Sequence, residues 1–345
     1  MKRMILMVLL MLFLSISAHA SGIAVPAVPD DVQQLMPDDE DFGSGLWSIF
    51  EEAICRTKPE VTSALKLFFE IIGTTLVLSV LQNFRGTSKS VVEFGAIIAV
   101  AGILLSKSYS LIDSGLETVW KISSYGKVLL PAMTAALAAQ GGSISAASIY
   151  MASCIFDTLL SSLISSILTP LIYIYIVLCI MNAATKDSLL TKIRTFTKWF
   201  ATWCLKIILY IFTGYISISG IISGAADQTA IKAAKLTISG AIPVVGSILS
   251  DASETVLVGA GIVKNTIGTY GLLAIIAVTI IPFLSIAVHY FVVRLTSVIV
   301  SVFAPKTISV LIEDVSSAIG LILAMLGSVS LIQLVTTVCF LKGMV

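Results

Sequence analysis

Two stretches, Ser239–Leu257 (SGAIPVVGSILSDASETVL) and Tyr125–Tyr150 (YGKVLLPAMTAALAAQGGSISAASIY), decide how this chain is read. Both are apolar, and both are interrupted by proline, glycine and small polar residues. About a dozen apolar residues at about 1.5 Å each reach about 20 Å, short of a hydrocarbon core about 30 Å thick. Irregular backbone at that depth persists only where protein or water satisfies its free polar groups. The two stretches are therefore expected to be broken, re-entrant segments that line a pathway or form a tight packing core.

The rest of the chain is built of longer apolar runs. Apolar residues make up 57% of its 345 residues and charged residues 12%, with a mean hydropathy of +1.03. Soluble domains carry about 25% charge, so the expected fold class is all-α, a polytopic helical membrane protein embedded in a lipid bilayer. A net charge of +1 supplies no basic face to follow phosphates, and no nucleic-acid partner is expected. Cys154, Cys179, Cys204 and Cys339 lie in or beside apolar runs and Cys55 alone in an aqueous stretch, so no disulfide framework is readable.

Lys2 and Arg3 precede an apolar run from Met4 to Ile16, and Ala18-His19-Ala20 offers a small-x-small cleavage site, which makes residues 1–20 a signal peptide. An uncleaved first helix is the alternative; either reading starts Ser21 outside the cytoplasm. Residues 21–62 form an acidic extracytoplasmic segment, in which Leu46, Ile49, Phe50, Ala53 and Ile54 recur at the spacing of a short amphipathic helix. The transmembrane domain occupies 63–345. Arg85 and Lys89, then Lys186, Lys192, Arg194 and Lys198, mark cytoplasmic loops by the bias of lysine and arginine toward that side. The stretches 107–127 and 295–316 read as interfacial. The tally is about six full spans plus the two broken segments.

Pro131 and Pro170 stand 39 residues apart, as do Pro243 and Pro282, and an offset of 112 carries one broken segment onto the other. This suggests parallel internal repeats at about 91–184 and 200–293, an arrangement known among transporters. The candidate pathway or packing residues are Pro131, Gly141, Gly142, Asp157, Pro243, Gly246, Asp251 and Glu254. Acidic groups at membrane depth are costly and are kept where they do something; for Asp251 a helix N-cap is the alternative. Gly220 and Gly224 form a GxxxG pattern suited to close helix packing. No nucleotide-binding loop, HExxH or GxSxG occurs, and His289 sits alone in a span. Neither an enzyme nor a cofactor or metal site is expected.

Tyr125–Tyr150 and Ser239–Leu257 also resemble the signature stretches of the stage III sporulation protein AE family of endospore-forming bacteria. The signal peptide, acidic segment and run of spans agree with that family over essentially the whole chain. The resemblance implies a mother-cell membrane protein of a transenvelope channel or secretion-like complex facing the forespore. Its implied partners are the other stage III A proteins (membrane subunits, ring-forming proteins and a secretion-type ATPase) and a forespore stage II protein. It implies no site residues. A self-contained secondary transporter using the broken helices is the alternative reading.

Overall fold

The helical period of the apolar runs is realised almost throughout the computed structural model, which describes residues 27–33, 35–36, 42–81, 89–139, 143–241 and 246–342, and from 217 to 264 the helix path alone. After a single turn at Asp30–Gln33 come α1 (Phe42–Leu81), α2 (Lys89–Ala139), α3 (Ser143–Leu163), a π-turn at Ile164–Leu168, and α4 (Thr169–Thr185). Then follow α5 (Ser188–Ala241), α6 (Gly246–Val300) and α7 (Lys306–Lys342). Among the described residues six stretches are long and apolar enough to cross a membrane: Phe42–Leu81, Val91–Ala139, Ala146–Thr185, Ser188–Ile216, Asn265–Val300 and Lys306–Leu341. The protein is thus an all-helical, polytopic membrane protein.

Its centre is α7. The most apolar window of α7 is 61% buried, against 22% for those of α1 and α5. It packs on α2, α3, α4, α5 and α6. Composition explains this placement. Val315–Leu341 carries no charge, so no face of it asks for water, and a helix apolar on all sides is buried by its neighbours.

One end of the bundle gathers the cations. Lys186 Nζ lies 2.8 Å from Glu93, and Thr307 donates to the same carboxylate at 2.9 Å. Arg194 pairs with Asp314, Lys198 donates to Ser317 Oγ at 2.9 Å, and Arg294 meets Glu313 at 2.9 Å. Ser79 reaches the Phe303 carbonyl at 2.9 Å. These bonds tie α1, α2, α4, α5, α6 and α7 together at the end where the lysines and arginines concentrate. Lys186, which closes α4, takes a left-handed conformation (φ 55°) that turns the chain into α5. Val28, Val32 and Leu35 bury the N-terminal segment in the bundle, and Ala27–Pro29 lies beside Glu117–Val128 of α2.

Several expectations need correction. Tyr125–Tyr150 does not break at its proline: α2 runs through Pro131 to Ala139, and α3 starts back at Ser143. An internal proline removes one helical hydrogen bond and crowds the carbonyl four residues earlier. Here Pro131 and that residue, Lys127, are both exposed, while Leu129, Leu130 and Met133 are buried. The defect falls on the outer face and packing holds the inner one. Likewise 107–127 is the middle of α2, and 295–316 is the end of α6, a turn and the start of α7, not separate helices. The amphipathic helix continues as α1 to Leu81; it buries Gly45, Ile49, Ala53 and Thr57 and leaves Phe50 and Ile54 outside.

The helix ends do not follow the proline spacing. Ala139 and Ala241 close the two outgoing helices 102 positions apart, not 112. Pro170 does mark a real irregularity, because the π-turn before it lets Thr169 Oγ1 bond the Ile164 carbonyl at 2.8 Å. Residues 1–20, Gly141, Gly142 and Pro243 lie outside the described residues. Gly220 and Gly224 fall on the path of α5, and Gly246, Asp251 and Glu254 on that of α6, with side chains outside the description.

Assigning the basic end to the cytoplasm gives a direct test on a native thiol. Cys55, exposed on the other half of α1, should react with an impermeant maleimide added to intact protoplasts. Cys55→Ser should abolish that signal. Labelling that appears only after permeabilisation would invert the bundle.

Candidate functional site: a buried carboxylate shared by three helices

Asp157 lies on α3, in CIFDTLLSS, facing inward between α2 and α7. Helical spacing assembles its surroundings. Ser123 and Gly126 share one face of α2, Ser153, Asp157 and Ser161 one face of α3, and Gln333, Thr336 and Thr337 one face of α7. Ser123 Oγ donates to Asp157 Oδ1 at 3.0 Å, and Gln333 Nε2 donates to the same oxygen at 3.1 Å. Ser123 and Ser161 hydroxyls lie 2.8 Å apart. Since Ser123 spends its single proton on the carboxylate, Ser161 is the donor in that contact. One turn away, Ser153 Oγ reaches Thr336 Oγ1 at 2.9 Å.

The carboxylate is 6% exposed and has no ion-pair partner among the described residues. Neutral donors therefore carry it, the usual glue between helices in lipid. Gln333 keeps its amide in place because Gly126 leaves room. A Cβ at that glycine would stand 2.3 Å from Gln333 Nε2 and 2.8 Å from its Cδ. Two polar atoms remain without partners, Gln333 Oε1 and the Tyr125 hydroxyl. The site is thus a polar layer that fixes the register of α2, α3 and α7, with one charge-bearing group at its middle.

A second polar set joins α1 and α2, and α6 carries a buried histidine. Lys107 Nζ donates to Ser63 Oγ at 3.1 Å and lies 4.0 Å from Glu60. His289, read from the sequence as a lone satisfied residue, is fully buried. Its Nδ1 sits 2.8 Å from the Ser285 carbonyl and so carries the proton, leaving Nε2 without a partner. Among the described residues no group of three His, Cys, Asp or Glu is placed to hold a metal ion.

Of the sequence candidates, Asp157 is thus built into a site, and Pro131 lies one turn beyond Lys127 on the outer face of the same helix α2. Sequence reasoning missed Ser123, Gly126 and Gln333. Gln333 did carry a signal: it is the one glutamine in Val315–Leu341, a stretch with no charge. Its partner stands 176 positions away, which no local pattern reports.

Fold and site together define a polytopic helical membrane protein whose spans are joined by polar contacts. The profile of the family described as Stage III sporulation protein AE matches residues 31–342, and the chain belongs to that family. It is 26% identical over 324 residues to Stage III sporulation protein AE of Bacillus subtilis (strain 168), covering 92% of this chain and 80% of the relative. No solved structure matches it.

Two substitutions check this geometry. Gly126→Ala should lower the unfolding midpoint in detergent, because overpacking costs roughly 1–3 kcal/mol. Gly126→Ala with Gln333→Ala should lose less than the sum of the two single changes; strict additivity would refute the contact. At the basic end, Asp314→Ala should destabilise more than Asp314→Ala with Arg194→Met, since the single change strands a partly buried guanidinium, at roughly 3–5 kcal/mol for a fully buried pair. Side chains 14% and 13% exposed place this pair toward the lower figure.

Proposed function

We propose that this chain is a multi-pass mother-cell membrane subunit of the channel or secretion-like complex that joins mother cell and forespore in stage III of sporulation. Its role is assembly and conduction within that complex, not catalysis. The observation that carries this reading is the family match across residues 31–342. Its partners are the other stage III A proteins, including ring-forming subunits and a secretion-type ATPase, and a forespore stage II protein. The acidic segment that follows the signal peptide faces the space between the two membranes.

A surface feature supports a life inside an assembly. Asp113, Glu117, Trp120, Ser124 and Lys127 are exposed along α2 at successive three- and four-residue steps. Charges of both signs on one outward stripe are costly against lipid and suit water or another subunit. The helices are also long. The 51 residues of α2 span about 75 Å at about 1.5 Å each, well over twice a hydrocarbon core. Material of that height can project into the intermembrane space.

Asp157, buried without a cation, favours one second reading, a self-contained secondary transporter. The experiment that separates the two is purification of the tagged chain from sporulating cells in mild detergent. A complex subunit brings ring-forming and ATPase partners with it, and Glu117→Lys with Lys127→Glu on the α2 stripe depletes some of them. A chain that elutes alone and is stabilised by a small solute is a transporter.

A further inference from the structure

The membrane flank of α5 carries a second kind of site. Lys198, Thr202, Leu205, Lys206 and Leu209 follow one another at i, i+4, i+7, i+8 and i+11, so they share one face of the helix. That face closes a cavity of about 330 Å³ against Tyr290 of α6 and the Ser317–Ser328 stretch of α7. No acidic residue lines it. Lys198 spends one of its three protons on Ser317 Oγ, at 2.9 Å; Arg194 occupies the nearby Asp314. Lys206 has no ion-pair partner among the described residues. The cavity therefore presents two cations over a floor of leucine and alanine, while its Thr202, Ser317 and Ser328 hydroxyls donate to their own helix backbones.

A neighbouring cavity of about 340 Å³ extends along the same pair of helices. Its α6 wall (Ile276, Thr279, Ile280, Phe283) continues the face that bears Tyr290, and its α7 wall includes Gly327, Leu331 and Leu334. Its lining is almost wholly apolar. Two glycines seven residues apart keep the seam open. Gly320 admits Tyr290, where a Cβ would lie 3.0 Å from the ring, and Gly327 faces Phe283 at 3.7 Å.

The position of the pair along the membrane is marked by aromatic rings. Phe196, Trp199 and Trp203 are exposed on α5 with successive ring centroids 5.8 Å apart. Amphipathic rings of this kind sit at the headgroup level. Lys198 lies at that level, and Lys206 two turns deeper, within snorkelling reach of it. A polar, cationic pocket at headgroup depth with an apolar one along the same helices has the two-part chemistry of a phospholipid.

We propose that the α5–α6–α7 seam binds one anionic phospholipid from the cytoplasmic leaflet. Its phosphate sits between Lys198 and Lys206, with an acyl chain laid along Phe283 and Gly327. Basic pockets between membrane helices on the cytoplasmic side select such headgroups by charge, and the apolar continuation excludes a soluble anion. The lipid would brace α5 against the central helix at the end where the bundle is already pinned by ion pairs.

The test uses the full chain in mild detergent, titrated with phosphatidylglycerol or with phosphatidylcholine of the same chains, with bound lipid counted by native mass spectrometry. Wild type should retain one phosphatidylglycerol in preference to phosphatidylcholine, and excess inorganic phosphate should not displace it. Lys198→Gln and Lys206→Gln should each weaken retention about fivefold and the pair about thirtyfold. Lys192→Gln, which lies outside the cavity, should change nothing, and Lys206→Arg should keep binding. Gly327→Leu, which fills the apolar part, should release the lipid with elution volume unchanged. Equal retention of the two lipids, displacement by phosphate, or undiminished binding in the double lysine variant or in Gly327→Leu would each overturn the proposal.

Discussion

One constraint shapes the molecule: a helix with no charge from Val315 to Leu341 must be enclosed by other helices, and every polar atom it carries must then be answered from inside. α7 is that helix. Ser316, Ser328, Ser330, Gln333, Thr336 and Thr337 are all buried on it. Most hydroxyls close onto their own backbone, as Ser328 does on Ala324 at 2.7 Å and Thr337 on Gln333 at 2.9 Å. A glutamine amide is too large for that solution. Gln333 reaches across to Asp157, and with Ser123 the reach makes a junction of three helices.

The same logic orders the structure along its length. At the basic end, ion pairs among Glu93, Lys186, Arg194 and Asp314 close the bundle where water is near and cations are expected to face the cytoplasm. In its middle, Lys107 with Ser63 and Glu60 forms a polar set between α1 and α2, and α6 buries His289. Beyond it lies the Asp157 layer. Three polar layers stacked in an apolar bundle define a rigid post. Apolar contacts with lipid-like partners give little preference for one register; hydrogen bonds and ion pairs at defined heights do. A tall bundle with a charged outer stripe suits the proposed place in a larger assembly.

Much of this was legible in the sequence. Apolar run lengths gave the spans, Lys186–Lys198 gave the basic end, and Asp157 stood out because a carboxylate in a long apolar run needs a reason. What failed was the reading of Pro131 as a break. It sits inside a continuous helix, as Pro59 and Pro282 do. Local propensity cannot report that Leu129, Leu130 and Met133 are gripped by other helices, and at Pro131 that grip decides. The chain turns a few residues later, between Ala139 and Ser143. Partners such as Glu93–Lys186 and Arg194–Asp314 were equally hidden, since their matching needs the fold first.

What Asp157 does is the central question, and one comparison addresses it. As a structural acceptor, its essential property is an oxygen placed for Ser123 and Gln333; as part of a solute or proton pathway, it is its charge. Sporulation efficiency, protein abundance and melting temperature measured together for Asp157→Asn and Asp157→Leu separate the two. Asparagine, which keeps an acceptor of the same shape, should sporulate near the wild-type level. Leucine, which strands both donors at roughly 1–3 kcal/mol each, should lose stability and function together. Asparagine at normal abundance and melting temperature with sporulation abolished would contradict the account.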